Sequence, residues 1–535
     1  MMPAGSISFT GAAEDDGTNL VAALESDEQR AAKRARLDAL GQSLAKSRAE
    51  AIEGRQNSGV EQDLYEDEEF YEGIDDANRA EHRSVWLTKP MAQAFPSVSV
   101  QGSLGGTKST VFPNITGPYC DAAAARIADM LLPTDDRSWS LGPTPIADLV
   151  GVAKGEVPPD MERMVLAQHG GDQKLAEESL ANAINAAKQL VDDAREKADK
   201  AQKRIEDWHV ECQWHAQVRQ VIEDAARIGA GVLKGPVPRY KKTVAYVNGA
   251  LQIREEIKPA SLRIDPWNFF PDPSCGENIQ NGAYTWERDR LSRKQVRDLL
   301  KQPNYIKEAL LACLEEGPMR ATTDYRADSE MQRFQSESGK RGKFEIWYYH
   351  GTLEKEDLEA GGVVVGDEGD DPHRPALVTM INQHVVRVSL NPLDAGSYPY
   401  DVMVWRARAN HWTGIGVARQ IRTPQRIVVA GARNLMDNAG LAAGPMTWIN
   451  DAMLVPVDGV LGIGPRKVFR LAEDADVSGS LKDAIGVIKV DMLVNDLMVI
   501  INYGLKLAED TSGFPMMLPG QLGSAPDRVG LVHLR

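Results

Sequence analysis

The chain has 535 residues, which corresponds to three to four units at roughly 100–200 residues each. The hydrophobic share of 42% supports a sizeable core, and with only 6% aromatics that core is built mostly from Ala, Val, Ile, Leu and Met. Against 61 basic residues stand 77 acidic ones, a formal charge of −16; this argues against a protein that clamps DNA by neutralising phosphates and permits one that DNA slides past.

Residues 1–60 are polar, with few large apolar side chains, and read as a mobile N-terminal arm in which 27–54 is at most a solvated helix. The opening MMPAGSISFT has no basic region leading into an apolar stretch, so no secretory signal is read. The acidic run 61–72 (EQDLYEDEEFYE) reads as a solvated face. Residues 116–132 (TGPYCDAAAARIADMLL) predict a buried helix capped by Thr116, with Pro118 in its first turn. From 172 to 228, Ile184, Ala187, Val191, Ala194, Ala198, Ala201, Ile205, Trp208 and Cys212 recur in steps of three and four. That is a heptad seam on one long helix, and it needs a partner helix from the same chain or a neighbour.

Beyond the helix, TVAYVNGALQIREEI (243–257) alternates in a β pattern, and SLRIDPWNFFPDPSC (261–275) is dense in proline and aromatics. Helices are expected at 292–303, capped by Ser292, and at 304–316. Strands are expected at 343–350, 376–390 and 397–408, with an acidic, glycine-rich loop at 354–373. A helix at 415–439 ends near Gly440, with Pro424 as a candidate kink. Strands around 453–470 and a helix at 479–509 complete the pattern. The most apolar window, 484–507, carries Lys489, Asp491, Asp496 and Lys506 and is no membrane span.

Chemistry-bearing motifs are scarce. Gly229, Gly231 and Gly235 follow a helix, whereas a dinucleotide loop needs its glycines between strand and helix. Gly462 and Gly464 lead into Pro465 and fail the same test. No Walker loop, nucleophile elbow or H-E-x-x-H is present. His209, Cys212 and His215 have helical spacing, but no fourth zinc ligand is evident and Cys212 already belongs to the seam. The acidic pairs Asp135-Asp136, Asp370-Asp371 and Glu509-Asp510 read as surface. Four cysteines without a CxxC pair read as reduced thiols of a cytoplasmic setting. No catalytic residue, cofactor or metal is assigned. Two basic groups stand out: Arg288, Arg290, Arg293, Lys294 and Arg297, and then Arg406, Arg408, Arg419, Arg422, Arg426 and Arg433. Such cations either face DNA or pair with carboxylates of an adjacent subunit, the reading preferred here.

The order of segments resembles the portal, or head–tail connector, proteins of podovirus-type double-stranded DNA bacteriophages. ITGPYCDAAAARIADMLLPTDDRSW (115–139) is similar to their early helix, and the long helix ending in IEDAARIGAGVLKGP (222–236) to their wing helix. LRIDPWNFFPDPSC (262–275) with YTWERDRLSRKQVRDLL (284–300) resembles the passage into the first stem helix. YPYDVMVWRARANHWTGIGVARQI (398–421) and RNLMDNAGLAAGPMTWI (433–449) resemble the end of the clip, the second stem helix and the tunnel loop. The similarity spans about residues 60 to 530.

The resemblance implies an α+β phage portal fold with a long wing helix, two stem helices, a β-rich clip and a tunnel loop. Its parts would be a wing at 61–290, stem helices at 291–303 and 413–440, a clip at 304–412, and the tunnel loop with a truncated C-terminal wing at 441–535. It implies a homo-oligomeric ring, usually a dodecamer, at one capsid vertex of the virion, assembled in the host cytoplasm. The terminase large subunit would dock on the clip, then tail or head-completion adaptor proteins. Major capsid and scaffold proteins would surround the ring, and double-stranded DNA would pass without sequence specificity. Arg419, Arg422, Arg426 and Arg433 become candidates for channel or interface charges. Gly440, Leu441, Ala442, Ala443, Gly444, Pro445 and Met446 become the tunnel loop. Trp347, Tyr348 and Tyr349 are candidates for intersubunit β contacts or for ordinary strand packing. Related portals usually continue further past the segment matching 511–530, so a truncated or split C-terminus is expected. Two other classes compete: a coiled-coil structural or scaffolding protein of the virion, favoured by 172–228 but opposed by the β-rich 240–412, and a DNA-processing enzyme, for which no Walker loop or carboxylate cluster is visible.

Overall fold

The computed structural model describes residues 27–78, 109–132, 139–143, most of 151–247, 250–319, 343–365, most of 373–449, 454–457, 468–471 and 485–513. Residues 1–26 of the expected arm, Pro445, and the pairs Asp135-Asp136 and Asp370-Asp371 lie outside the described residues. Helices run over α1 (Asp27–Asn57), α2 (Val60–Glu72), α3 (Thr116–Leu131), α4 (Pro159–Gln168), α5 (Gln173–Glu211), α6 (Trp214–Ile228), α7 (Arg293–Leu299), α8 (Lys307–Glu316), α9 (Lys355–Ala360), α10 (Val417–Gln420), α11 (Arg422–Ala442) and α12 (Val494–Ser512). Strands run over β1 (Ala230–Val247), β2 (Ala250–Ile264), β3 (Phe269–Pro271), β4 (Tyr284–Leu291), β5 (Phe344–Glu354), β6 (His373–Ile381), β7 (His384–Leu390), β8 (Tyr400–Val404), β9 (Met446–Ile449), β10 (Leu454–Pro456), β11 (Phe469–Leu471) and β12 (Ile485–Ile488).

An antiparallel meander, β3-β4-β5-β6-β7, forms the larger sheet. Its faces follow the two-residue period of a strand. On β5, Trp347, Tyr349 and Leu353 pack towards α1, whereas Phe344, Ile346 and Tyr348 pack towards α7 and α8. Trp347, Tyr348 and Tyr349 therefore serve strand packing within this chain. Helix α1 corrects the reading of 27–54 as part of a mobile, solvated arm. Leu40, Leu44, Ala51 and Ile52 form a narrow apolar stripe that is buried on the sheet. Arg36 holds the other end through Glu354, Glu356 and Asp357 at and around α9.

The single strand expected at 376–390 is instead the β6–β7 hairpin, turned at Asn382, whose φ of 58° is one an asparagine tolerates. Helix α7 starts at the expected Ser292, through a capping box with Gln295, but stops after seven residues. The strand β1 pairs with β2 along nearly its whole length and with β8 at its base, so the second sheet has the order β2-β1-β8.

A helical layer packs α3, α6, α10, α11 and α12 around Cys120, Ala123, Ile222, Ala226, Ala418, Val428 and Ala508. Small residues let these helices approach closely: a Cβ on Gly431 would lie 2.8 Å from Ile501 Cγ1, and one on Gly504 2.8 Å from Val428 Cγ2. The long helix expected at 172–228 is broken at Cys212 and Gln213, where Gln213 takes φ 56°. Its seam is partly covered by α4 and by the segment at 139–143; Leu141 N donates to Gln202 Oε1. The break in the later helix falls at Ile421, not at Pro424. Pro424 sits in the first turn of α11, where its missing N–H has no partner to lose. The helix expected at 479–509 begins only at Val494, after strand β12.

Candidate channel and interface residues

Helix α2 is an acidic sequence with one apolar edge. Val60, Leu64 and Tyr65 are buried with Ile228 and Trp267. Asp67 and Glu68 lie one turn beyond Leu64 on the same face, so docking that edge carries both carboxylates inside. The solvated-face reading of 61–72 is thereby corrected. A buried carboxylate needs a partner, and arginines supply most of them. Arg419 Nε donates to Asp67 Oδ1 at 3.1 Å and Oδ2 at 3.2 Å, and its Nη1 lies 2.5 Å from Asp63 Oδ1. Arg408 Nη1 donates to Asp63 at 2.9 Å, and Arg422 Nη1 to Glu66 at 2.5 Å. Trp267 Nε1 donates to Glu68 at 3.1 Å, and Arg433 Nη1 lies 2.8 Å from Asp75. Burial pushes the Asp67 carboxyl up to about 7, with Arg419 beside it pulling the other way.

Of the four candidate arginines, Arg419, Arg422 and Arg433 thus hold carboxylates of their own chain, a partner outside the two expected choices of DNA or a neighbouring subunit. Arg426 is exposed, with its guanidinium 5.6 Å from the centre of the Phe70 ring. Of the first basic group, Arg288 is buried and donates to Asn268 Oδ1 and Trp267 O, and Arg293 donates to Leu314 O.

The segment 440–446, expected to be a tunnel loop, is mostly not loop. Gly440, Leu441 and Ala442 form the last turn of α11, Ala443 and Gly444 follow it, and Met446 opens β9. Gly440, Leu441, Ala443 and Gly444 are exposed, and no atom lies within 4 Å of a Cβ built on Gly440 or Gly444.

Two polar centres escaped the sequence reading. Gln425 is fully buried: its Oε1 accepts from Ile115 N at 2.9 Å, Thr116 N at 3.1 Å and Thr116 Oγ1 at 3.1 Å, while Nε2 donates to Pro113 O at 2.7 Å. The start of α3 is capped from 309 residues away, not by Thr116, which lies inside the helix. Between the two sheets, Glu287 on β4 accepts from Lys234 on β1 and from the Tyr400 hydroxyl on β8 at 2.5 Å. Burial and the neighbouring Glu287 raise the Tyr400 phenol well above its usual value. His350 stands edge-on to Tyr400 at 5.2 Å. No sequence pattern brings these groups together, because each sits on a different strand.

His209, Cys212 and His215 do not form a ligand set; the His209 ring stacks on Trp214 at 4.6 Å and meets Trp139 edge-on at 5.7 Å. Among the described residues, no group of three or more His, Cys, Asp and Glu side chains is arranged to hold a metal ion, and no helix is long and apolar enough to cross a membrane.

Compared with known protein families, residues 173–521 match the family described as Phage SU10 portal protein. No match was found among curated proteins.

Proposed function

Because this chain belongs to the phage SU10 portal protein family, we propose that it builds a ring, of twelve copies in the usual case, at one capsid vertex through which viral DNA is packaged and ejected. The family is a structural component of the virion, and this chain is a portal subunit. The observation that carries this is the match over residues 173–521, which takes in the long helix, the two larger sheets and the α11–α12 pair. The acidic balance of −16 supports passage of DNA without adhesion.

We assign the exposed turn from Gly440 to Gly444 to the channel side, where small residues meet moving DNA without reading its bases. Of the candidate charges, Arg426 is retained as a channel or intersubunit contact. The terminase large subunit first, and tail or head-completion adaptors later, would dock on the ring, which capsid and scaffold proteins surround.

Negative-stain electron microscopy of the purified chain, with mass photometry for the subunit count, tests the reading. Rings with a central channel are expected. Extended rods, or a compact dimer with nuclease activity, would overturn it.

A further inference from the structure

We infer that the face built from the start of α12, the segment just before it and the end of α11 is the surface on which the next copy of this chain packs in the ring. The inference rests on the ring reading and adds to it a location.

The outer side of α12 is apolar where a helix of an acidic chain is expected to be polar. Val499 is 66% exposed and Tyr503 60%, opposite the buried Gly504 and Ala508 that face the rest of the helical layer. Met492 precedes the helix and is 56% exposed. Asn438 on α11 joins the two helices here, accepting from Leu493 N at 2.9 Å and donating to Asp491 O at 3.1 Å. The strand β12 precedes this segment in the chain and pairs with β9. Their sheet has two strands, with Val487, Ile488 and Trp448 exposed. A two-stranded sheet is marginal by itself, and here its apolar side chains lie open.

Magnitude decides that this is more than scattered surface. With Leu493 and Ile500, the half-exposed side chains at and just before the start of α12 present on the order of 500 Å² of apolar area, taking roughly 200 Å² for each whole large side chain. That is the size of the largest apolar patch on a typical monomer, the kind that marks an interaction site. DNA is a poor occupant, since the face offers apolar groups where phosphates need cations. A second copy is the occupant the family supplies, because its members assemble as rings. Ring closure is head-to-tail, so the face meets a different surface of the next copy.

The test compares the full-length chain with Val499→Glu and with Val364→Glu. Val364 is 93% exposed on a different part of the fold and serves as a control. Mass photometry is expected to show rings for the unsubstituted chain and V364E, and at least a tenfold lower ring fraction for V499E at an unchanged melting temperature. In a milder second variant, Val499→Cys, maleimide labelling of residue 499 should slow at least tenfold when subunits assemble. Rings of V499E at the unsubstituted level, or equal labelling of V499C in ring and subunit, overturn this inference and leave the portal reading intact. An unsubstituted chain that remains monomeric overturns the ring reading and this inference with it.

Discussion

Arg419 holds Asp67 across 352 residues of sequence, its Nε reaching both carboxylate oxygens and its Nη2 the carbonyl of Asp63 at 3.0 Å. The contact fastens the N-terminal acidic helix to α10. Removing the guanidinium leaves the buried Asp67 carboxyl without its donor, and the carboxyl, already pushed up to about 7, takes a proton instead of remaining charged. Arg419→Ala is therefore expected to cost about 1–3 kcal/mol of stability, read as a fall in the urea midpoint. Asp67→Asn, which removes the charge and keeps the shape, should cost less. Equal losses in both variants would show that packing, not charge, sets the cost.

This contact also shows where sequence reading stops. The helices α3, α5, α6 and α11 were legible because their apolar residues recur at helical spacing, and the β5 strand because aromatic and β-branched residues cluster there. The partners of Arg419, Arg422 and Arg433 were not legible. Charge alone states that a side chain needs an opposite charge or water, and the choice is made by Val60, Leu64 and Tyr65 docking α2 in reach. Gln213 shows a second kind of limit. No Gly or Pro marks the break between α5 and α6, and the chain accepts a left-handed glutamine because each helix then packs on its own neighbours. The end of α11 was legible only to within a few residues: Gly440 suggests a stop, but the helix runs through it to Ala442.

Gln425 caps α3 with one side-chain oxygen that accepts from three donors, two of them backbone N–H groups. Gln425→Ala leaves those groups and Pro113 O buried without a partner. A loss of about 1–3 kcal/mol is expected, measured by thermal unfolding. Gln425→Glu keeps the acceptor but not the donor to Pro113 O, so it should not restore stability. Full stability in Q425A would mean that Thr116 and its neighbours cap the helix unaided.

The crossing of α11 and α12 depends on Gly431 and Gly504. A Cβ at 504 would sit 2.8 Å from Val428 Cγ2 and 3.1 Å from Ile427 Cγ2. Alanine there gains about 1 kcal/mol of helix propensity, which offsets much of the crowding, so Gly504→Ala should shift the melting temperature little. Gly504→Val adds two methyls without room for them and is expected to cost about 1–3 kcal/mol. A G504V chain as stable as the original would show that the helices separate freely.

His350 gives the chain an acid sensitivity of definite sign. The ring is 4% exposed, and neither nitrogen has a hydrogen-bond partner. Burial, with Lys234 nearby, drives its pKa down to about 3 from the ordinary 6.5. Between those values the unfolded chain takes up a proton that the folded chain refuses. The stability this group supplies is fully present above pH 6.5 and is lost as pH falls towards 3, by at most about 1.4 kcal/mol per pH unit. Asp67 works in the opposite direction. Its folded value of about 7 lies above the ordinary 3.8, so its contribution is fully present below 3.8 and is lost as pH rises through 7. The two groups offset each other between about pH 4 and 6.5. His350→Leu removes the first group and exchanges an unpaired buried polar ring for an apolar side chain, which is tolerated. Its advantage over the unsubstituted chain should therefore widen as pH falls from 7 to 5, by roughly 2 kcal/mol, measured as urea midpoints across that range. Asp67→Asn should change the slope in the other direction. Parallel curves for H350L and the unsubstituted chain would mean that His350 gains a proton in the folded state as readily as in the unfolded one.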